Sequence, residues 1–92
     1  MKYLYLVSYD LNKIGQNYAL LYGELKKTGT YNHILDSTWL VSSDEDVKTF
    51  TQRLYINGKL DGNDHVLVFD ITNSLWWGYL NKADIDWVSK YL

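Results

Sequence analysis

The sequence predicts an α+β fold in which one antiparallel sheet carries helices on one face. Short runs rich in aromatic and β-branched residues alternate with segments whose apolar residues recur at helical spacing. The segments between them are short and polar, with no linker, repeat or low-complexity stretch. With 92 residues, of which 47% are hydrophobic, the chain can build one core. We therefore expect a single domain spanning residues 1–92.

Strand composition recurs along the chain, since aromatic and β-branched residues suit a pleated surface. The predicted strands are Tyr3–Tyr9, Thr30–Leu35, Thr38–Val41 and His65–Ile71, with a turn or bulge at Asp36-Ser37. Successive side chains of a strand point to opposite faces. In the first strand this alternation places one set of residues on one face (Tyr3, Tyr5, Val7 and Tyr9) and another set on the other (Leu4, Leu6 and Ser8).

Helical periodicity separates these strands. Apolar residues at i, i+3, i+4 and i+7 predict a first helix. This helix should end at Gly29, after Lys26-Lys27 in its last turn. Two further apolar stripes predict a second and a third helix. Ser43 and Asp46 have the spacing of a capping box for the second helix, and Asn81 with Asp84 could cap the third. The predicted buried stripes are Tyr18, Leu21, Tyr22 and Leu25; Val47, Phe50 and Leu54; and Ile85, Val88 and Leu92.

The element order is therefore β-α-β-β-α-β followed by an extra C-terminal helix, the split βαβ or ferredoxin-like arrangement with strand order 4-1-3-2. In this order the first strand is central, so its carboxyl end lies beside the starts of the third and fourth strands. We expect Asp10 to lie near Asp36, Ser37 and Thr38 on one side, and near Asp64 and His65 on the other.

Composition excludes several classes of protein. The chain has no cysteine, so disulfides and Cys-ligated metals are absent, and no apolar run reaches the ~18 residues of a membrane span. We expect a soluble, cytoplasmic protein with no membrane partner. A net charge of −2 and a single arginine, Arg53, argue against a protein that wraps duplex nucleic acid.

Asp10 is the main candidate for chemistry. A carboxylate at the end of a central strand could hold Mg²⁺, and with Asp36 or Asp64 the metal could polarise a phosphodiester and activate water. The alternative is that Asp10 caps the following loop by accepting hydrogen bonds from Asn12 and Lys13. A lone His65 is more often a solvated strand residue than a base or a ligand.

The aromatic residues suggest an interface. A sheet face left uncovered by helices could stack single-stranded bases or pack against a second copy. We favour a homodimer because the RNP pattern is missing and arginine is scarce. Tyr5, Tyr9 and Trp39 are the predicted interface residues. Trp76-Trp77-Gly78-Tyr79 is interpreted first as a clamp on the sheet, and second as a contact for a partner.

Two stretches of the sequence together resemble a known family. Tyr9 to Tyr18 matches the pattern Y-D-L-N-K-x-G-Q-N-Y, and Leu35 to Val41 matches L-D-S-T-W-L-V. These patterns are similar to the CRISPR-associated ferredoxin-fold nucleases, the small spacer-acquisition subunit, and most of all to its stand-alone SinR-like relatives. The resemblance covers roughly residues 3–71.

The resemblance implies a homodimer whose sheets pack face to face, with Asp10 of each subunit converging on Mg²⁺ or Mn²⁺. It implies that Asp10 and Ser37 are catalytic residues and that Lys13 contacts nucleic acid. The first helix lacks the arginine that nuclease relatives often have. The resulting hypotheses are a metal-dependent phosphodiesterase or endonuclease, a non-catalytic dimeric adaptor or regulator binding protein or nucleic acid, and a small-ligand sensor.

Overall fold

A computed structural model describes residues 2–11 and 18–92 of the chain. It confirms the α+β class: the described residues form one four-stranded antiparallel sheet and three helices. In chain order the elements are β1 (Tyr3–Asp10), α1 (Tyr18–Lys26), β2 (Tyr31–Leu35), β3 (Thr38–Ser43), α2 (Val47–Asn57), β4 (His65–Asp70) and α3 (Lys82–Tyr91).

The strands lie in the order β2-β3-β1-β4, which reads β4-β1-β3-β2 from the opposite edge. In β1, Tyr5 pairs with Val41 of β3 and with Asp70 of β4, so β1 has a partner along both sides. The β2–β3 pairing shifts register between Asn32 and Leu35, close to the predicted turn or bulge. The two edges of the sheet are therefore β2 and β4.

The main core lies between one face of the sheet and the helices α1 and α2. It contains the odd-numbered residues of β1, among them Tyr5 and Val7, which alternate away from Leu4 and Leu6. The helices contribute the expected residues of their stripes: Leu21, Leu25, Phe50 and Leu54. Three residues of the predicted buried stripes are instead exposed: Tyr18 of α1, Val47 of α2 and Ile85 of α3.

The opposite face of the sheet is partly covered by α3. A second, smaller core joins Leu4 and Leu40 of the sheet to Val88 of α3. We call the whole of this side the open face, because α3 covers only part of it. The expectation of an entirely uncovered second face was therefore wrong, since the sequence did not indicate on which side the last helix packs.

Helix ends follow local hydrogen bonding. Asp46 alone is the N-cap of α2, accepting from the Thr49 amide at 2.8 Å, while the Ser43 hydroxyl accepts from Glu45, so the predicted capping box does not form. The predicted Asn81 cap of α3 is confirmed by its bond from the Asp84 amide at 2.9 Å. Gly29 has a φ of +83°, as expected of a residue that ends a helix.

Among the described residues, no helix combines the length and the apolar content required to cross a lipid bilayer.

Candidate functional site

The carboxyl end of β1 brings together the polar residues that the strand order predicted there. Asp10 is the last residue of β1 and lies directly opposite His65, the first residue of β4. On the other side, the Tyr9 amide donates to the Ser37 carbonyl oxygen at 3.1 Å. The side chains of Asp10, Ser37 and His65 are all exposed.

Of the two aspartates proposed to assist Asp10, Asp64 uses its side chain in local structure. Asp64 is buried, and its carboxylate accepts a hydrogen bond from the Asp61 amide at 3.1 Å within the loop before β4. The Asp36 carbonyl oxygen lies within 3.2 Å of the Tyr9 hydroxyl. Within residues 2–11 and 18–92, no three His, Asp or Glu side chains are grouped closely enough to hold a metal ion. In one chain, Asp10 and His65 lie side by side as cross-strand neighbours.

The predicted nucleic-acid contact, Lys13, lies outside the described residues. The sequence predicts a surface with little arginine, and Arg53, the single arginine, forms ion pairs within the molecule. Its guanidinium donates to both carboxylate oxygens of Glu45 and to Glu24, at 2.8–3.1 Å. This arginine therefore joins α1, α2 and the loop before α2.

Glu24 is the buried centre of this ion-pair network. It accepts from Arg53 at 3.0 Å and from Asn57 at 3.1 Å, and it pairs with Lys27 at 2.6 Å. Burial alone would raise the pKa of Glu24, but the hydrogen bonds from Lys27, Asn57 and Arg53 outweigh burial and hold the pKa below its ordinary value. The carboxylate is therefore ionised at neutral pH and holds the two helices together.

Tyr5, Tyr9 and Trp39, the predicted dimer interface, are at most 6% exposed. They pack beneath α1 and α2 in the main core, so their place there contradicts the expected contact with a second copy. The face that contains them is the face that the helices cover. The physical reason is that both faces of β1 are apolar, and the helices occupy the one with the larger aromatic side chains.

The hydroxyls of these buried tyrosines are committed to hydrogen bonds. Tyr5 donates to the Glu45 carbonyl oxygen at 2.6 Å, and Tyr9 accepts from the Trp39 indole N–H at 3.3 Å. Burial, followed by the nearby Asp70, raises the pKa of Tyr5 to about 12. Burial, followed by the hydrogen bond with Tyr22, also raises the pKa of Tyr9. Neither phenol supplies an ionised group near neutral pH.

The open face exposes a group of large apolar side chains. Leu67 and Phe69 of β4 are 56% and 54% exposed, while Trp77 and Tyr79 in the segment before α3 are 90% and 93% exposed. Phe69 lies opposite Leu6 in the sheet, and Leu6 lines a groove of about 320 Å³ together with Trp77 and Tyr79. We define the open-face patch as six residues: Leu6, Leu35, Leu67, Phe69, Trp77 and Tyr79.

The groove within this patch is lined by apolar, aromatic and small side chains, and Thr38 is its single polar one. Trp76 is 38% exposed and Trp77 and Tyr79 are almost fully exposed, so the predicted clamp on the sheet is wrong, and the contact for a partner stays a prediction. Sequence reasoning did not assign Leu67 and Phe69 to a surface. The signal for them was present, since His65–Ile71 is apolar on both faces although it forms the edge strand.

Comparison of the chain with protein-family models, with curated proteins and with solved structures finds no match to any of them.

Proposed function

We propose that this chain is a homodimeric, non-catalytic adaptor that forms its dimer through the open face of the sheet. The observation that supports this proposal is the open-face patch, because exposed apolar surfaces of this size usually mark contact sites. The exposed fractions of five of its residues, at roughly 200 Å² per large side chain, amount to roughly 700 Å²; these residues are Leu35, Leu67, Phe69, Trp77 and Tyr79. A standard interface buries ~800 Å² on each partner.

The chemistry of the patch favours a second copy over nucleic acid. Phosphate contacts supply much of the affinity for nucleic acid and require lysine or arginine. The groove is lined by no charged residue, and Arg53 is held by two carboxylates. Two copies related by a two-fold axis would instead bury Phe69 and Trp77 of each subunit in one apolar interface.

The same proposal assigns the chain to the ferredoxin-like arrangement and places it in the cytoplasm. The strand order read from β4, and the packing of α1 and α2 on one face, support the fold assignment. They also agree with the resemblance to the CRISPR-associated ferredoxin-fold family, in which face-to-face dimers are expected. The α3 helix would lie at the border of this interface.

Light scattering at micromolar concentration tests the dimer. We expect twice the chain mass of 10.8 kDa for the wild type, and the monomer mass for the double variant Leu67→Lys/Phe69→Lys. Ile56→Lys, which changes an exposed residue of α2 on the other side of the sheet, is the matched control and should remain dimeric. A monomeric wild type would refute the dimer.

A metal-dependent nuclease is the second candidate, and the pairing of Asp10 with His65 favours it. Alternation places Asp10 on the same face as Ser8 and Leu67, so a face-to-face dimer would bring two such pairs to one interface. Mg²⁺ is often bound by one or two carboxylates and several waters, so a pair of Asp10 residues fits this metal. A bound Mg²⁺ or Mn²⁺ would polarise a phosphodiester, and Asp10 would hold the ion.

Cleavage of labelled RNA and DNA with Mg²⁺ or Mn²⁺ tests this candidate. Activity that Asp10→Ala abolishes and Ser37→Ala lowers would support the nuclease and overturn the non-catalytic adaptor. Absent cleavage, or cleavage that persists in Asp10→Ala, would show that the nuclease hypothesis is wrong.

A further inference from the structure

The main chain of β4 presents unpaired hydrogen-bonding groups at the edge of the sheet. The Ile71 amide donates to the Leu4 carbonyl oxygen at 2.8 Å, which identifies one hydrogen-bonded pair between β1 and β4. Such pairs recur at every second residue of an antiparallel ladder, so Phe69 and Leu67 also bond to β1. The N–H and C=O groups that point away from β1 belong to Val66, Val68 and Asp70.

This edge lacks the features that usually block strand addition. The sequence of β4 contains no lysine and no proline, and its pairing with β1 runs in unbroken register. The other edge, β2, has a register shift between Asn32 and Leu35. In the described part of the chain, no loop or helix hydrogen bond occupies the outward main-chain groups of β4.

A cavity lies beside this edge, between β4 and α2. Its volume is about 560 Å³, and α2 lines it with the uncharged residues Thr51, Gln52, Tyr55 and Ile56. Tyr55 and Ile56 are exposed, although both are large apolar residues. A strand added to β4 would place every second side chain in this cavity, beneath α2.

The charges at the two ends of the edge indicate which strand fits. Asp64 lines the cavity before β4 begins, and Asp70 ends the strand. An antiparallel copy of β4 centred on Leu67 would place Asp70 of one copy opposite Asp64 of the other, and like charges facing each other in a sheet are destabilising. A basic residue at the end of an incoming strand would instead meet the exposed carboxylate of Asp70.

We propose that the β4 edge and the adjoining cavity bind an extended peptide segment of a partner protein, with apolar side chains at alternate positions and lysine or arginine at the end beside Asp70. This inference rests on the proposed adaptor role and names the kind of partner. The outward groups of Val66, Val68 and Asp70 supply the main-chain hydrogen bonds, while Tyr55 and Ile56 contact the apolar side chains.

Fluorescence anisotropy with the labelled peptide Lys-Val-Thr-Val-Thr-Val-Thr-Val-Lys tests the affinity. Val68→Pro removes an outward amide without breaking the β1–β4 ladder, and Ile56→Asp places a charge in the cavity. Each should raise the Kd by ~10-fold, which corresponds to the loss of about one hydrogen bond or apolar contact. Leu75→Asp, the same change at a fully exposed residue outside the cavity, should leave the Kd within about two-fold.

Amide hydrogen exchange measured by NMR locates the peptide and does not depend on the folding of Val68→Pro. Binding should slow exchange at Val66, Val68 and Asp70, whereas Leu67 and Phe69 are already protected by β1. No binding, or protection that falls elsewhere, overturns the proposal. Protection that appears without peptide and grows with protein concentration would show that a second copy occupies the edge, and this also overturns it.

The two proposals can fail independently. Leu67→Lys/Phe69→Lys changes side chains on the open face and should leave peptide binding within about two-fold, because the edge main chain is intact. A monomeric wild type that binds the peptide at these three amides refutes the dimer and supports the peptide site.

Discussion

Replacing Arg53 by alanine should be among the most destabilising changes outside the apolar core. The arginine side chain is 16% exposed and the Glu24 side chain 9%, so removal of the guanidinium leaves a carboxylate in a largely dry site. Breaking a buried ion pair in this way costs ~3–5 kcal/mol. Glu24 keeps its bonds to Lys27 and Asn57, and Glu45 is 30% exposed and can rehydrate. We therefore expect the lower end of that range, a loss of about 3 kcal/mol.

Urea unfolding at pH 7, followed by fluorescence, measures this loss as a shift in the midpoint at constant slope. The buried Trp39 provides the signal. Lys82→Ala is the matched control, since it breaks an ion pair at the surface. The Lys82 side chain is 87% exposed and that of its partner Asp86 is 62% exposed. That pair should contribute no more than ~0.5 kcal/mol.

A double-mutant cycle isolates the interaction between the two partners. Glu24→Gln removes the buried charge, so Arg53→Ala should be less destabilising in the Glu24→Gln background by ~1–3 kcal/mol. If Arg53→Ala alone costs as little as Lys82→Ala, the reasoning is wrong, because water would then solvate the Glu24 site as well as it solvates the surface.

Glu24, two glycines and Asp10 can each be tested by substitution. Folding lowers the pKa of Glu24 from 4.5, so its ionised form stabilises the fold above that pH. Urea unfolding below about pH 4.5 should therefore show a larger loss of stability in the wild type than in Glu24→Gln. An equal loss of stability in both proteins would contradict this. A Cβ at Gly58 would clash with the Leu54 carbonyl oxygen, so Gly58→Ala should lower the free energy of unfolding by ~1–3 kcal/mol. Gly23 lies in a helix with open space around it, so Gly23→Ala should raise the free energy of unfolding by ~0.5–1 kcal/mol. If the dimer holds a metal, Mg²⁺ should raise the Tm and Asp10→Asn should remove most of the increase, which differential scanning fluorimetry measures; an equal increase in both proteins would leave Asp10 as a loop cap.

The strand order and the neighbours of Asp10 could be predicted because they follow from local patterns and general rules. Alternation along β1 separates two sets of residues, and a split βαβ order determines which strand ends are adjacent. These rules place Ser37 and His65 beside the end of β1, as the structure confirms. They need no knowledge of side-chain packing.

The choice of face could not be predicted in the same way. Tyr5 and Tyr9 on one side of β1 and Leu4 and Leu6 on the other are all apolar, so composition alone does not indicate which set meets α1 and α2. The position of α3 on the second face depends on the path of the chain after β4. The binding of Arg53 to Glu24 depends likewise on three elements meeting at one point, and no sequence spacing indicates it.

The central position of β1 also bears on how the chain folds. Tyr5 pairs with Val41 and with Asp70, so both neighbours of the first strand are made long after it. During synthesis, β1 therefore leaves the ribosome as an apolar segment, and its second neighbour follows only after β2, β3 and α2. Pairings this distant along the chain are slow to form and leave unpaired strands exposed meanwhile. We expect a growing chain that lacks β4 to depend on chaperones. The pairing of β4 with β1 can be completed only after translation has passed Asp70.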